Sequence, residues 1–346
     1  MRIVMADMGV PFDGHTPQER PLGGAESAFI ALAEALAALG HAVEARSAGA
    51  HALTERGVTW RPLGDWPQAA DFFIANRAPA LLSAPLTRRR TAFWLHNPAQ
   101  FLSKPRYAWP LLRKRPVLVF AGPSHMATAP AWVPDGGRVI IPLGVEAVFL
   151  ETPPPSAPPP PRAIFTSNPL RGLGRLIELW RSKIRPRAPD AELHVFSGAE
   201  TYGGAKAGAM GAVLAEARAA AAAGVVVRPP VPKAALAQEL AAARVMLYLG
   251  DPGETFCLAV AEAQAMGAPA VVRPIGAVGE RVINGQTGFV EADEEAFCQR
   301  AAALLQDDVL WLRCSMAAQT QRPALTWARA AAQFAQLGTP APPKAP

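Results

Sequence analysis

The sequence predicts an α/β protein made of two doubly wound domains in tandem. Three observations lead there. The chain opens on a strand–loop–helix–strand unit. The same alternation of short apolar runs and helical stretches resumes in its second half. Between the halves lies a proline-rich segment that can join neither sheet nor helix.

Arg2 to Ala6 is a short apolar run of the kind a buried parallel strand shows. A loop rich in glycine and proline follows to Gly24. Ala25 to Leu39 then reads as a helix stopped by Gly40, and Ala42 to Arg46 as the next strand. Phe72 to Ala75, Thr91 to Leu95, Val117 to Ala121 and Arg138 to Pro142 extend a parallel sheet with helices on both faces. Glu151 to Pro161, containing Pro153-Pro154-Pro155 and Pro158 through Pro161, is a stiff extended linker.

Beyond it, Ala163 to Thr166, Glu192 to Phe196, Val225 to Val227, Val245 to Leu249 and Ala270 to Arg273 read as strands. Arg171 to Ile184, Ala205 to Ala223, Lys233 to Ala243 and Thr255 to Met266 read as the helices between them, and further helices run from about Glu294 to Leu337. The expected domains are therefore 1–150 and 162–322, with 151–161 as linker. A last helix at about 323–337 packs back on the first domain, and a proline-rich tail, 338–346, lacks order. Two such domains leave a cleft between the C-terminal ends of their strands.

Half of the 346 residues are hydrophobic and 18% are charged, which supports buried cores and argues against general disorder. The net charge of +6 comes from scattered basic residues without the stripe that nucleic acid requires; it is either a mildly basic soluble surface or an affinity for phosphate-bearing ligands or an anionic membrane surface. Cys257, Cys298 and Cys314 fit no zinc spacing and cannot all pair, as in a reduced cytoplasmic protein. Met1-Arg2-Ile3-Val4-Met5 reads as a strand and not a signal peptide, and no apolar run approaches the roughly 20 residues of a membrane helix. Two basic clusters remain: Arg88-Arg89-Arg90, and Lys104 to Arg115 with Tyr107, Trp109, Leu111 and Leu112 interleaved. Each is either a solvated loop or helix, or a patch for the inner face of the cytoplasmic membrane.

The most informative stretch runs from Asp251-Pro252-Gly253-Glu254-Thr255-Phe256-Cys257-Leu258 to Glu262 and on to Pro269. Glu254 follows a buried strand and opens a helix. Glu262 lies eight positions on, a rotation of about 800°, which puts both carboxylates on roughly one face. Helix N-terminal amides favour a phosphate, and carboxylates accept from sugar hydroxyls. A cap and a surface charge would share that spacing, but Glu262 is set among Ala259, Val260, Ala261 and Ala263, where a solvated charge is not expected.

Glu254 to Pro269 resembles the E-x7-E signature of the retaining family 4 glycosyltransferases, which have the GT-B fold: two Rossmann-like domains facing each other across a cleft. Gly276 to Val282, Asn284 to Val290 and Val139 to Val145 resemble further segments of that family, in the same order. The resemblance implies that Glu254 contacts the donor sugar and Glu262 the nucleotide ribose. It also implies that the turn Thr255, Phe256, Cys257, Leu258 meets sugar or phosphate oxygens. The family often has glycine where this chain has Cys257, which otherwise reads as a small buried filler.

Gly23-Gly24 before a helix lets the backbone approach a phosphate closely, and the resemblance makes these glycines donor-phosphate or reaction-centre contacts. Glu26 is an acceptor-side residue or a favourable charge at the helix start. His96, just past a strand, resembles the family's active-site histidine, with Asn97 beside it where Asp or Asn is common. Arg171 matches the second of two basic positions that neutralise the diphosphate. Ser167 and Asn168 stand where the first would be, so either Arg171 carries more of that charge or another residue helps. Arg228 to Lys233, with Val231, resembles the family's base-binding edge, which implies that its backbone reads the base.

The resemblance thus implies a metal-independent transfer from a UDP- or GDP-linked sugar to a carbohydrate or lipid-linked acceptor, without a cofactor. No D-x-D sequence is present to suggest metal ligands. Two other readings use the same residues: a nucleotide-sugar 2-epimerase of the same fold, and a non-catalytic sugar-nucleotide-binding relative.

Overall fold

The computed structural model describes all residues except Pro21, Ala50, 199–206 and 340–346, and the chain divides into two units. The first unit comprises Met1–Gly144 with Trp327–Pro346. Among the described residues its sheet has eight strands: β1 (Arg2–Asp7), β2 (Ala42–Ser47), β3 (Leu53–Glu55), β4 (Val58–Pro62), β5 (Ala69–Asn76), β6 (Thr87–Trp94), β7 (Val117–Phe120) and β8 (Arg138–Ile140). Their order is β3-β4-β2-β1-β5-β6-β7-β8, parallel apart from the β3–β4 pair. Val4, Ala6, Phe73, Phe93 and Phe120 are fully buried in its core. Near-continuous apolar strands of this kind are what a sheet covered on both faces demands.

The β3–β4 hairpin has no counterpart in the sequence-based expectation. Its turn uses Arg56 at φ 45° and Gly57 at φ 78°, the left-handed pair that matches hairpin twist, and an arginine at the first of those positions gives little warning of it. The Arg88-Arg89-Arg90 cluster corrects a second expectation, because it lies within β6 and is neither loop nor helix. Arg88 donates to the carbonyls of Leu82 and Ala84 and stacks 5.0 Å over the Phe73 ring, so its charge is spent inside the unit. The Lys104 to Arg115 cluster is largely the helix Pro105–Lys114, with Leu111 buried and Trp109 and Leu112 exposed.

The second unit is Val145–Thr326. Its described strands are β9 (Arg162–Phe165), β10 (Glu192–Phe196), β11 (Val225–Arg228), β12 (Val245–Tyr248), β13 (Ala270–Val272) and β14 (Gly288–Val290). They are all parallel, in the order β11-β10-β9-β12-β13-β14. The division between units falls before the proline-rich stretch. That stretch counts with the second unit, where the buried Arg244 donates to the Pro159 carbonyl at 3.4 Å. The final helix, Trp327–Gly338, counts with the first unit. It packs on the helix Gly24–Ala38 and on β6, with Trp94 5.2 Å from Phe334 and 6.4 Å from Trp327. The helix expected at Ala205 to Ala223 is described from Ala207. The expected tail, 338–346, lies outside the described residues beyond Thr339.

In both sheets the strand order reverses direction at one point: between β1 and β5 in the first, between β9 and β12 in the second. Open α/β sheets bind ligands outside the strand C-termini at such switch points. Asp7, Asn76 and Arg77 stand at the first, and Ser167, Asn168, Arg171, Tyr248 and Glu254 at the second.

Candidate active site

In the first unit, Gly23 precedes the helix Gly24–Ala38, and Glu26 lies buried in that helix's first turn. A Cβ on Gly23 would stand 2.5 Å from Oε2 of Glu26, so only glycine fits while Glu26 keeps its place. That place is held by Arg77, whose Nη1 donates to Glu26 Oε1 at 2.7 Å. The rest of the Arg77 fork grips Asp7, Nε at 2.8 Å and Nη2 at 2.6 Å. Asp7 is fully buried and also accepts from Asn76 Nδ2 and the Gly9 amide, both at 2.6 Å. Burial opposes the Arg77 charge, but the two carboxylates outweigh it and leave the guanidinium more firmly protonated than usual. Arg77 itself sits at φ 59°, an unusual backbone region for a non-glycine residue. Glu26 is therefore an ion-paired strut beneath the glycine turn.

His96 follows β6. Its ring lies 4.4 Å from that of Trp94, and burial first, then the Arg77 charge, pushes its basicity well down. The imidazole is held neutral, able to hydrogen-bond but poorly suited to carry charge. Asn97 is exposed, and its carbonyl accepts from His125 Nε2 at 3.0 Å. The Ala121 amide donates to His125 Nδ1 at 3.1 Å, which assigns the proton to Nε2.

In the second unit, Asn168 builds the turn after β9: its Oδ1 accepts from the Leu170 amide at 2.9 Å and its carbonyl from the Arg171 amide at 3.0 Å. The turn presents Arg171, which forms an ion pair with Glu254 through Nη1 and Oε2. The Tyr248 hydroxyl donates to the same Oε2 at 2.9 Å, and the Cys257 amide to Oε1 at 3.2 Å. Burial, followed by the neighbouring Cys257 and Glu254, keeps the Tyr248 phenol protonated.

The helix after Glu254 begins at Leu258 and not at Thr255, because Cys257 takes φ 71° and breaks the helical path. Glu254 thus lies in a turn and Glu262 within the helix Leu258–Ala265. The shared helical face inferred from their spacing does not exist; the turn, not helical rotation, aims Glu254. Thr255, Phe256 and Cys257 are buried and Leu258 half-buried, with Arg281 stacked 4.1 Å over Phe256. Burial, then the Glu254 charge, pushes the Cys257 thiol well up. Gly276 closes the turn from outside at φ 62°. A Cβ there would come within 2.5 Å of the Asp251 carbonyl and 2.8 Å of that of Glu254. Glu262 is buried and pairs with Lys233 at 2.5 Å, while Val231 lies half-buried just ahead of Lys233.

The structure thus gathers Asn168, Arg171, Glu254 and Cys257 in one group, Glu262 with Lys233 in a second, and Gly23, Gly24 and Glu26 around Arg77 in a third. Asp7, Arg77, His125 and Tyr248 escaped the sequence-based reading, and Lys233 entered it only as the end of the Arg228 to Lys233 segment and the start of a helix. The signal was slight: polar residues at or just past a strand end, and a tyrosine closing an otherwise apolar strand.

Two doubly wound units with polar groups gathered at both switch points define a GT-B protein. Residues 161–307 match the family model described as Glycosyl transferases group 1, and the chain as a whole has the GT-B fold. Sucrose-phosphate synthase from Thermosynechococcus elongatus shares the fold at 16% identity and a TM-score of 0.75, over 97% of this chain and 98% of that one. A trehalose-6-phosphate structure from E. coli bound with UDP-2-fluoro glucose shares it at 11% and 0.71, over 99% and 100%. Anabaena HepE in complex with UDP and glucose does so at 14% and 0.66, over 97% and 98%. None of the curated proteins matches the chain.

Proposed function

We propose that the protein is a retaining, metal-independent glycosyltransferase. It moves a sugar from a UDP- or GDP-linked donor to a carbohydrate or lipid-linked acceptor, of the kind used to build a glycan, glycolipid or cell-envelope precursor. The observation that carries this is the Arg171–Glu254–Tyr248 cluster at the β9/β12 switch point, inside the segment that matches the glycosyltransferase family. Arg171 supplies fixed positive charge where a diphosphate departs, and Glu254 an acceptor for sugar hydroxyls. The backbone of Thr255 to Leu258 and of Gly23-Gly24 approaches donor oxygens. Glu262 accepts from the ribose, and Val231 lies along the base. His96, held neutral, hydrogen-bonds to the sugar near the reacting carbon, with Glu26 and Asn97 on the acceptor side. The bond from the anomeric carbon to phosphate breaks, a bond to the acceptor oxygen forms, and the acceptor proton leaves. Catalysis is chiefly electrostatic and positional.

UDP and glucose in one protein of the same fold, and UDP-2-fluoro glucose in another, support a nucleotide-sugar donor. A thermal-shift screen of nucleoside diphosphates and their sugars tests the reading. One base series should raise the melting temperature, and a flat response across the panel would refute it. Donor consumed without acceptor and converted to an epimer would favour the 2-epimerase instead.

We further infer a peripheral site of action at the cytoplasmic membrane face. In the helix Pro105–Lys114, Trp109 and Leu112 are exposed beside Arg113 and Lys114, with Arg115 following, a composition that suits an anionic interface. No described helix is long and apolar enough to cross a membrane.

A further inference from the structure

We propose that Tyr248 is a positioning residue that anchors Glu254 while Arg171 exchanges that carboxylate for the donor's diphosphate. The inference rests on the function proposed above and adds a division of labour within the site. Arg171 and Tyr248 donate to one oxygen of Glu254, Oε2, but they differ in freedom. The Arg171 side chain is 39% exposed against 9% for that of Glu254, so Arg171 can leave its partner at little packing cost. Tyr248 cannot. It is fully buried at the end of β12, a strand paired to β9 on one side and β13 on the other, and its ring stacks on Phe165 at 5.8 Å.

The residue type is informative in itself. Val245, Met246 and Leu247 precede it in β12, and a phenylalanine would fill the same volume without a hydroxyl to satisfy. The hydroxyl is met by Glu254 and, at 3.4 Å, by Ser167 Oγ. The phenol stays protonated, so it acts as a donor throughout. A diphosphate carries more charge than a carboxylate and matches the guanidinium fork, so donor binding draws Arg171 away from Glu254. Glu254 is then left with Tyr248 and the Cys257 amide, and its aim at the sugar depends on the phenol.

Tyr248→Phe is the test, since it keeps the ring on Phe165 and removes only the hydroxyl. With the donor found in the screen, kcat should fall about tenfold or more while the donor KM stays within about twofold. The Tyr248→Phe/Glu254→Gln double variant should turn over no more slowly than Glu254→Gln alone, because both changes act on one carboxylate. An altered melting temperature with unchanged kcat, or additive losses in the double variant, would make Tyr248 structural only and overturn the proposal. Turnover by the wild type together with full activity in Tyr248→Phe sinks this inference alone. A wild type without turnover on any donor removes the proposed function and this inference with it.

Discussion

Lys233 opens the helix Lys233–Ala241 and forms an ion pair at 2.5 Å with Glu262 of the next helix, whose carboxylate is almost wholly buried. A lysine at a helix N-terminus works against the macrodipole, so its placement answers the neighbouring carboxylate rather than its own helix.

Glu262 commits Oε1 to Lys233, and under the proposed function the carboxylate also meets a ribose hydroxyl. Glu262→Gln should raise the donor KM about tenfold with a smaller change in kcat, the signature of lost ground-state binding. Lys233→Met strands the buried carboxylate and should cost roughly 1–3 kcal/mol of stability in urea titrations.

Cys257 holds a backbone conformation that favours glycine, and its side chain is buried. Cys257→Gly should relieve the strain while losing a little packing and chain stiffness, and so fall within about 1 kcal/mol of wild type. Cys257→Val should cost roughly 2 kcal/mol or more, because a β-branched residue fits φ 71° poorly. The thiol also fixes a pH dependence. Its ionisation is raised in the folded state, so above about pH 8.5 the unfolded chain loses its proton first and stability falls as pH rises. Denaturation midpoints at pH 7.5 and 9.5, for wild type and Cys257→Ser, check both sign and source.

His96 behaves in the opposite direction. Its folded-state basicity lies well below the ordinary value of 6.5, chiefly through burial. As pH falls through about 6.5 the unfolded chain takes up the proton first, so stability present at neutral pH is lost toward acid. The His96 ring resonance should show no midpoint near pH 6.5, and the acid-side slope of stability should flatten in His96→Gln. Arg77→Gln, which leaves Asp7 buried without its fork, should cost roughly 3–5 kcal/mol.

The helix Pro105–Lys114 should carry the protein to anionic vesicles. Wild type should sediment with vesicles containing phosphatidylglycerol, with a blue shift in the emission of Trp109, and the Arg113→Ala/Lys114→Ala/Arg115→Ala variant should not. Equal binding by both would remove the membrane from the account.

Much of the fold was legible because buried parallel strands declare themselves as apolar runs: Ile3 to Ala6, Val117 to Phe120 and Val245 to Tyr248 needed no tertiary knowledge. Torsion angles were not legible. The left-handed turn of the β3–β4 hairpin and the φ of Cys257 are properties of assembled backbone, and the second moved the start of a helix and with it the orientation of Glu254. Long-range pairs were equally hidden. Arg77 grips a carboxylate 70 positions away, and Arg171 meets Glu254 across 83. Arg88-Arg89-Arg90 looked like surface because charge count says nothing of strand alternation, which turns Arg88 inward over Phe73.

Glu254 is the residue on which the functional account turns, through its bonds to Arg171, Tyr248 and the Cys257 amide. The most direct measurement is nucleoside diphosphate release from the matched donor and acceptor by Glu254→Ala against wild type, each first shown to unfold cooperatively. The account predicts a kcat lowered by about a hundredfold or more in the folded variant. Wild-type turnover by folded Glu254→Ala would contradict it.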